Sequence, residues 1–156
     1  MKTIARGLLP QQFGFKQGHS NEVKEHNRAL VIHLKHKVAH AHVDPTSPTT
    51  LCHNPIIMDI LTKMWFADAE DSDGVRYQEY FVRGPSLAMI AQVLTVIECA
   101  IDEYATETHV KLDMHARKYK PVYLEHLNML NNWEAYSKMH SRASCCMQED
   151  LLQTLR

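Results

Sequence analysis

Apolar side chains recur at helical spacing in four stretches of this chain, separated by polar connections that contain proline or glycine. The first predicted helix starts after Asn21, a residue type that favours the N-cap position, and extends to about His42. Its apolar residues fall on one face when successive residues advance by ~100°. That face comprises Val23, Leu30, Leu34, Val38 and Ala41.

Three further helices follow the same pattern. Asn54-Pro55 predicts the second, because proline is favoured at the first helical position after an N-cap. The third is predicted from Leu87 to about Thr106 and the fourth from Asp113 to about Tyr136, with a kink or a restart at Pro121. These elements predict an all-α protein, a single compact bundle of about four main helices.

The remaining sequence divides the chain into three parts. Residues 1–20 contain four glycine or proline residues and are interpreted as an irregular lead-in. Residues 21–136 form the predicted helical domain, and residues 137–156 an appended tail with a weak amphipathic turn. The core is expected mainly between the helices that start near Pro55, Leu87 and Asp113.

Two ionisable residues interrupt the apolar faces of the last two predicted helices. Glu98 lies among Leu94 and Ile101 on the third helix, and His126 lies at the centre of the apolar face of the fourth. A buried carboxylate needs a partner, so we expect a hydrogen-bonded pair that fixes how the helices dock. An acid–base pair is the catalytic alternative, and a third possibility is that one of the two faces solvent. No catalytic residue is assigned.

Eleven histidines are unusual for 156 residues, and four of them line one face of the first predicted helix. His26, His33, His36 and His40 recur at helical spacing, and the spacing of the last three suits a metal ion on a helix surface. His33, His36 and His40 are therefore the candidate metal ligands. The alternatives are a solvated polar face and a pH-sensitive surface.

Composition excludes several classes. A formal net charge of −1 gives no electrostatic argument for nucleic acid or an anionic membrane, and no apolar run reaches the ~20 residues that span a bilayer. The cysteines show no framework spacing, and the N-terminus lacks a secretory apolar run, so reduced thiols and an intracellular location, cytoplasmic or nuclear, are expected. The four cysteines are Cys52, Cys99, Cys145 and Cys146.

Motif searches name no reaction and no cofactor. The acidic segment 68–74 fails as a calcium loop, because a loop aligned on Gly74 begins with Ala69 and ends with Tyr80. Lys118-Tyr119-Lys120 forms a small basic-aromatic cluster, either a phosphate contact or an ordinary solvent face.

The run from Leu94 to Tyr104, with Glu98-Cys99-Ala100 at its centre, resembles the central helix of an uncharacterised domain family expanded in mushroom-forming basidiomycete fungi. The resemblance continues through 119–123, 125–127 and 53–57, and covers roughly residues 4–136. It implies a mostly helical domain of unknown activity, and it supplies neither substrate nor cofactor.

Together these observations favour a non-enzymatic helical module whose partner is another protein, without a membrane role. One alternative is a nucleic-acid-associated accessory domain, which the net charge disfavours. The other is a metal-binding protein or hydrolase that uses His126 with Glu98, or the stripe of His26, His33, His36 and His40.

Overall fold

The computed structural model describes residues 1–44, 46–47, 50–67, 72–106, 109–140 and 143–155. Within these ranges the chain forms α-helices and short 3-10 segments without any β-strand, which confirms the all-α prediction. Seven α-helices are present there rather than the four that were predicted. They are α1 (Lys2–Phe13), α2 (Asn21–Lys35), α3 (Pro55–Trp65), α4 (Asp73–Arg76), α5 (Leu87–Asp102), α6 (Ala116–His140) and α7 (Ala143–Leu155). In the described ranges every helix is too short or too polar to cross a bilayer.

Helix α5 is the central element of the fold. It packs against α1, α2, α3 and α6, and ten of its sixteen residues are buried, so it is apolar nearly all round rather than on one face. Ser86 caps its first turn by accepting a hydrogen bond from the Met89 amide. Asn54 does the same for α3, accepting from Ile56, so the predicted start of that helix is correct.

Both ends of the chain differ from the sequence prediction. Residues 2–13 are not irregular but form α1, which buries Ala5 and Leu9 against the core. Gly7 and Pro10 lie inside this helix, and the apolar spacing of Ala5 and Leu9, one turn apart, outweighs them. Beyond residue 136, α6 continues to His140, and α7 (Ala143–Leu155) buries Met147 and Leu151. The domain boundaries at 20 and 136 stay a prediction.

The predicted first helix is correct only in its first half. It is capped by Ser20 rather than Asn21, and it ends at Lys35, where a 3-10 segment, His36–Ala41, takes over. Lys37 and Val38 have φ values of 50° and 56°, in the left-handed region that a β-branched residue such as valine rarely adopts. The break changes the direction of the chain just before His40.

The last two predicted helices have shifted ends. Helix α5 stops at Asp102 instead of near residue 106, and α6 starts at Ala116 instead of Asp113 and extends to His140. Helix α6 runs through Pro121 without a restart. The acidic segment lies largely outside the described residues, because residues 68–71 are not among them.

Candidate functional site

Helices α5 and α6 bring Glu98 and His126 into direct contact. The ring Nε2–H of His126 donates to Glu98 Oε2 at 3.0 Å. His126 is 4% exposed, whereas the Glu98 side chain keeps 15% of its surface accessible. Burial alone would raise the pKa of Glu98, but the hydrogen bond from His126 and the charge of Lys35 outweigh it and lower this pKa to about 2. Glu98 is therefore a carboxylate at neutral pH.

A second carboxylate one turn along α5 extends the pair into a network. Lys35, the last residue of α2, places its ammonium 3.2 Å from Glu98 Oε1 and 2.6 Å from Asp102 Oδ1. Asp102 also accepts from the Tyr119 hydroxyl at 3.0 Å and from Lys118 at 3.1 Å. These contacts connect α2, α5 and α6 at one place.

His40 approaches the same pair from the 3-10 segment, and it is fully buried. Its Nδ1–H donates to the Leu34 carbonyl at 3.0 Å, since a carbonyl oxygen can only accept. This bond fixes the tautomer and leaves Nε2 as an acceptor, for which no hydrogen-bond partner exists among the described residues. Burial lowers the pKa of His40 to about 4, so the ring is neutral at physiological pH.

The three side chains form one cluster, which we call the His40 cluster: His40, Glu98 and His126. The His40 and His126 rings meet edge to face with their centroids 5.8 Å apart. One potential ligand atom from each of the three residues lies within 4.8 Å of the others. Two imidazoles and a carboxylate are a donor set that zinc and related ions use, and the same groups can also exchange protons.

The predicted histidine stripe does not form one surface. Because the helix ends at Lys35, the structure separates His40 from His33 and His36, which remain exposed. His26 lies half-buried, with its Nε2 3.0 Å from the Gly14 carbonyl. Among the described residues, a potential metal-ligand group contains only His40 of the candidate ligands.

Sequence reasoning missed another buried carboxylate. The side chain of Glu103, which is not among the candidate residues of the sequence analysis, is fully buried. Arg6 from α1 shares its single Nε–H between the two carboxylate oxygens at 2.8 and 2.9 Å and donates from Nη2 to Oε1, and the Leu112 amide donates to Oε1 at 3.0 Å. Lys2 and His109 lie at 3.5 and 3.3 Å. The signal was Lys2 and Arg6, one turn apart on a segment interpreted as irregular.

Known protein families include one that matches most of this chain. Residues 1–133 match a family described as a domain of unknown function, DUF6532. The chain belongs to this family. No curated protein and no solved structure matches it. The DUF6532 match assigns no specific activity, and it includes every residue of the His40 cluster and of the Glu103 network, whereas α7 lies beyond it.

The basic-aromatic cluster of this DUF6532 chain is largely occupied by internal contacts. Lys118 pairs with Asp102 and lies 4.8 Å from the centroid of the Tyr119 ring. Tyr119 itself is 2% exposed. Tyr119 therefore belongs to the interior, and Lys118, although exposed, is paired with Asp102.

Proposed function

We propose that this chain is a non-enzymatic helical module that acts by binding another protein. The observation that carries the proposal is an aromatic ridge on the surface, formed by Tyr77, Tyr80 and Val82. These side chains are 46%, 72% and 66% exposed. Tyr77 and Tyr80 line a groove together with Trp65, Asp73, Phe81 and Met89.

The chemistry of this ridge is that of protein interfaces. Tyrosine, tryptophan and methionine are enriched at such interfaces, and the two aromatic residues bury a large area at a small cost in conformational entropy. The Tyr77 and Tyr80 rings are 6.4 Å apart and steeply inclined, so the two rings support each other. Exposed aromatic rings beside a partly apolar groove are what a binding surface requires.

The base of the groove is held rigidly. Phe66 and Phe81 pack edge to face with centroids 5.1 Å apart. A Cβ on Gly74 would lie 2.5 Å from the Trp65 carbonyl oxygen, so any side chain at this position would collide with the backbone. A preorganised surface binds with less ordering cost, which supports an interaction role for this region.

The test is a double substitution, Tyr77→Ala with Tyr80→Ala, compared with Tyr136→Ala on α6. Tyr136 is 62% exposed and is thus a matched control for loss of a surface tyrosine. Proteins captured by the unmodified chain from native lysate should be identified, purified and titrated directly. We expect the double variant to weaken binding of a true partner at least tenfold, with Tyr136→Ala close to the unmodified chain. Equal binding by all three proteins would contradict the proposal.

We further infer that this chain acts inside the cell. We also infer that its family is expanded in mushroom-forming basidiomycete fungi. The resemblance of the central helix supports the second statement. For the first, Cys52 and Cys99 are both buried free thiols, in keeping with a reducing compartment. Fractionation of the native host with detection of this chain tests the location, and recovery from the secreted fraction alone would contradict it.

A further inference from the structure

The His40 cluster has one property that a self-sufficient hydrogen-bonded network lacks. Nε2 of His40 is buried, carries a lone pair and has no partner among the described residues. Buried polar atoms nearly always have a partner, and an acceptor left without one is costly. The neighbours of this ring are the imidazole of His126 and the carboxylate of Glu98.

We propose that His40, Glu98 and His126 bind a divalent transition-metal ion of the zinc class. Zinc takes imidazole nitrogen and carboxylate oxygen at about 2.0–2.2 Å, which places neighbouring ligand atoms roughly 3.3 Å apart in a tetrahedral site. His126 Nε2 and Glu98 Oε2 are already 3.0 Å apart. All three ligand atoms lie within 4.8 Å of one another, so small side-chain rotations bring them to the required spacing.

The surroundings orient these ligands as the outer contacts of a metal site do. A ligating histidine usually donates its other ring N–H to a carbonyl or a carboxylate, which fixes the ring and its tautomer. His40 makes this bond from Nδ1 to the Leu34 carbonyl, and its remaining nitrogen, Nε2, is buried. The left-handed backbone at Lys37 and Val38 brings His40 to this position.

Binding has an electrostatic and a proton consequence. The Nε2–H of His126 now bonds to Glu98, so a metal ion bound at that nitrogen requires the ring proton to move to Nδ1. Lys35 lies 3.2 Å from Glu98 Oε1 and opposes a second cation, but it already contacts Asp102 at 2.6 Å and keeps that partner. Removing the Lys35 charge is therefore expected to strengthen metal binding, whereas it would weaken a purely structural network.

The ion would join three elements, namely α5, α6 and the 3-10 segment. Binding to the folded state alone raises the melting temperature by mass action. This inference does not depend on the proposed interaction role, and the two can fail separately.

The experiment uses the full chain without a histidine tag, stripped with chelator, and titrated with Zn²⁺ alone by calorimetry. Co²⁺ is added in parallel, because its visible absorption reports four-coordinate nitrogen and oxygen ligation. We expect one equivalent of metal per chain and a higher melting temperature. His40→Gln and His126→Gln should each weaken binding at least tenfold, and Lys35→Met should strengthen it.

The double variant His33→Gln with His36→Gln is the matched control, since both residues are exposed histidines near His40 in sequence. It should bind Zn²⁺ as tightly as the unmodified chain. If His40→Gln fails to fold, by circular dichroism, Glu98→Gln replaces it, because an amide keeps the His126 hydrogen bond but is a poor metal ligand. The proposal is overturned if the unmodified chain binds no Zn²⁺, or if the control variant loses binding while His40→Gln retains it.

Discussion

Two carboxylates lie five residues apart, Glu98 on α5 and Glu103 just after its end, and they differ in how completely their surroundings are hydrogen-bonded. Glu103 is fully buried and is contacted by the Arg6 guanidinium, by a backbone amide, and by Lys2 and His109. Glu98 is less buried and is held by His126 and Lys35, yet the neighbouring His40 keeps a ring nitrogen without a partner.

This difference separates structural from functional candidates better than burial does. The Glu103 network accounts for the polar atoms it brings together, so docking α1 onto α5 is a sufficient explanation for it. The His40 cluster is less buried around its carboxylate but contains an atom that the fold alone does not explain. An unexplained buried donor or acceptor is thus a more specific indication of a ligand than a buried charge.

The largest effect is expected from Glu103→Gln. It leaves Arg6 beside a neutral group in a buried setting, and breaking such a pair costs about 3 kcal/mol. Urea unfolding, monitored by circular dichroism, measures the loss. Glu134→Gln is the control, because Glu134 and Lys138 form a surface pair worth less than about 0.5 kcal/mol. Similar losses in both variants would contradict a structural role for Glu103.

The next largest effect is a pH dependence of the folding stability that arises from His40. Its pKa is lowered by burial from 6.5 to about 4, so the unfolded chain takes up a proton first as the pH falls. The contribution of His40 to the folding stability is fully present above pH 6.5 and is lost as the pH falls towards 4. A shift of this size corresponds to about 3 kcal/mol.

The measurement compares the free energy of unfolding at pH 7.5 and pH 4.5 in chelator. We expect the unmodified chain to lose more stability on acidification than His40→Leu, by an amount approaching that figure. His36→Leu, which removes an exposed histidine from the same segment, should keep the full pH dependence. Equal pH profiles for the unmodified chain and His40→Leu would refute the assignment.

The smallest effect is expected from Glu98→Gln without metal. The glutamine carbonyl still accepts from His126, and Lys35 keeps Asp102, so the loss should be about 1 kcal/mol. The same unfolding assay, with Glu103→Gln alongside, checks the order of the two. A loss as large as that of Glu103→Gln would show that the two carboxylates are equally structural.

The fold class was predictable because helical spacing and capping are local. The apolar spacing of a helix face and the Asn54-Pro55 start are each formed by residues only a few positions apart in the sequence. The all-α prediction is confirmed. Three helices were missed: α4 is a short helix between α3 and α5, and α1 and α7 lie at the chain ends. There, α1 and α7 are stabilised by packing on α5, α3 and α6 and not by a strong pattern of their own.

The site was less predictable for a geometric reason. A helix wheel assumes that the helix continues, so it placed His40 on one surface with His33 and His36. The backbone instead becomes left-handed at Lys37 and Val38, residues that carry no glycine-like signal for such a turn. The position of His40 therefore depends on tertiary contacts that spacing does not report.

Gly84 has a consequence for how this domain can be delimited. A Cβ at Gly84 would lie 2.2 Å from the Gln148 carbonyl oxygen, so α7 rests directly on this loop, and the Gln148 amide also bonds to the Pro85 carbonyl at 3.1 Å. Helix α7, which lies beyond residue 133, therefore packs closely against the part of the chain that the family match covers. A protein cut where the family match ends would expose the apolar surface that now covers Met147 and Leu151, and would be prone to aggregate.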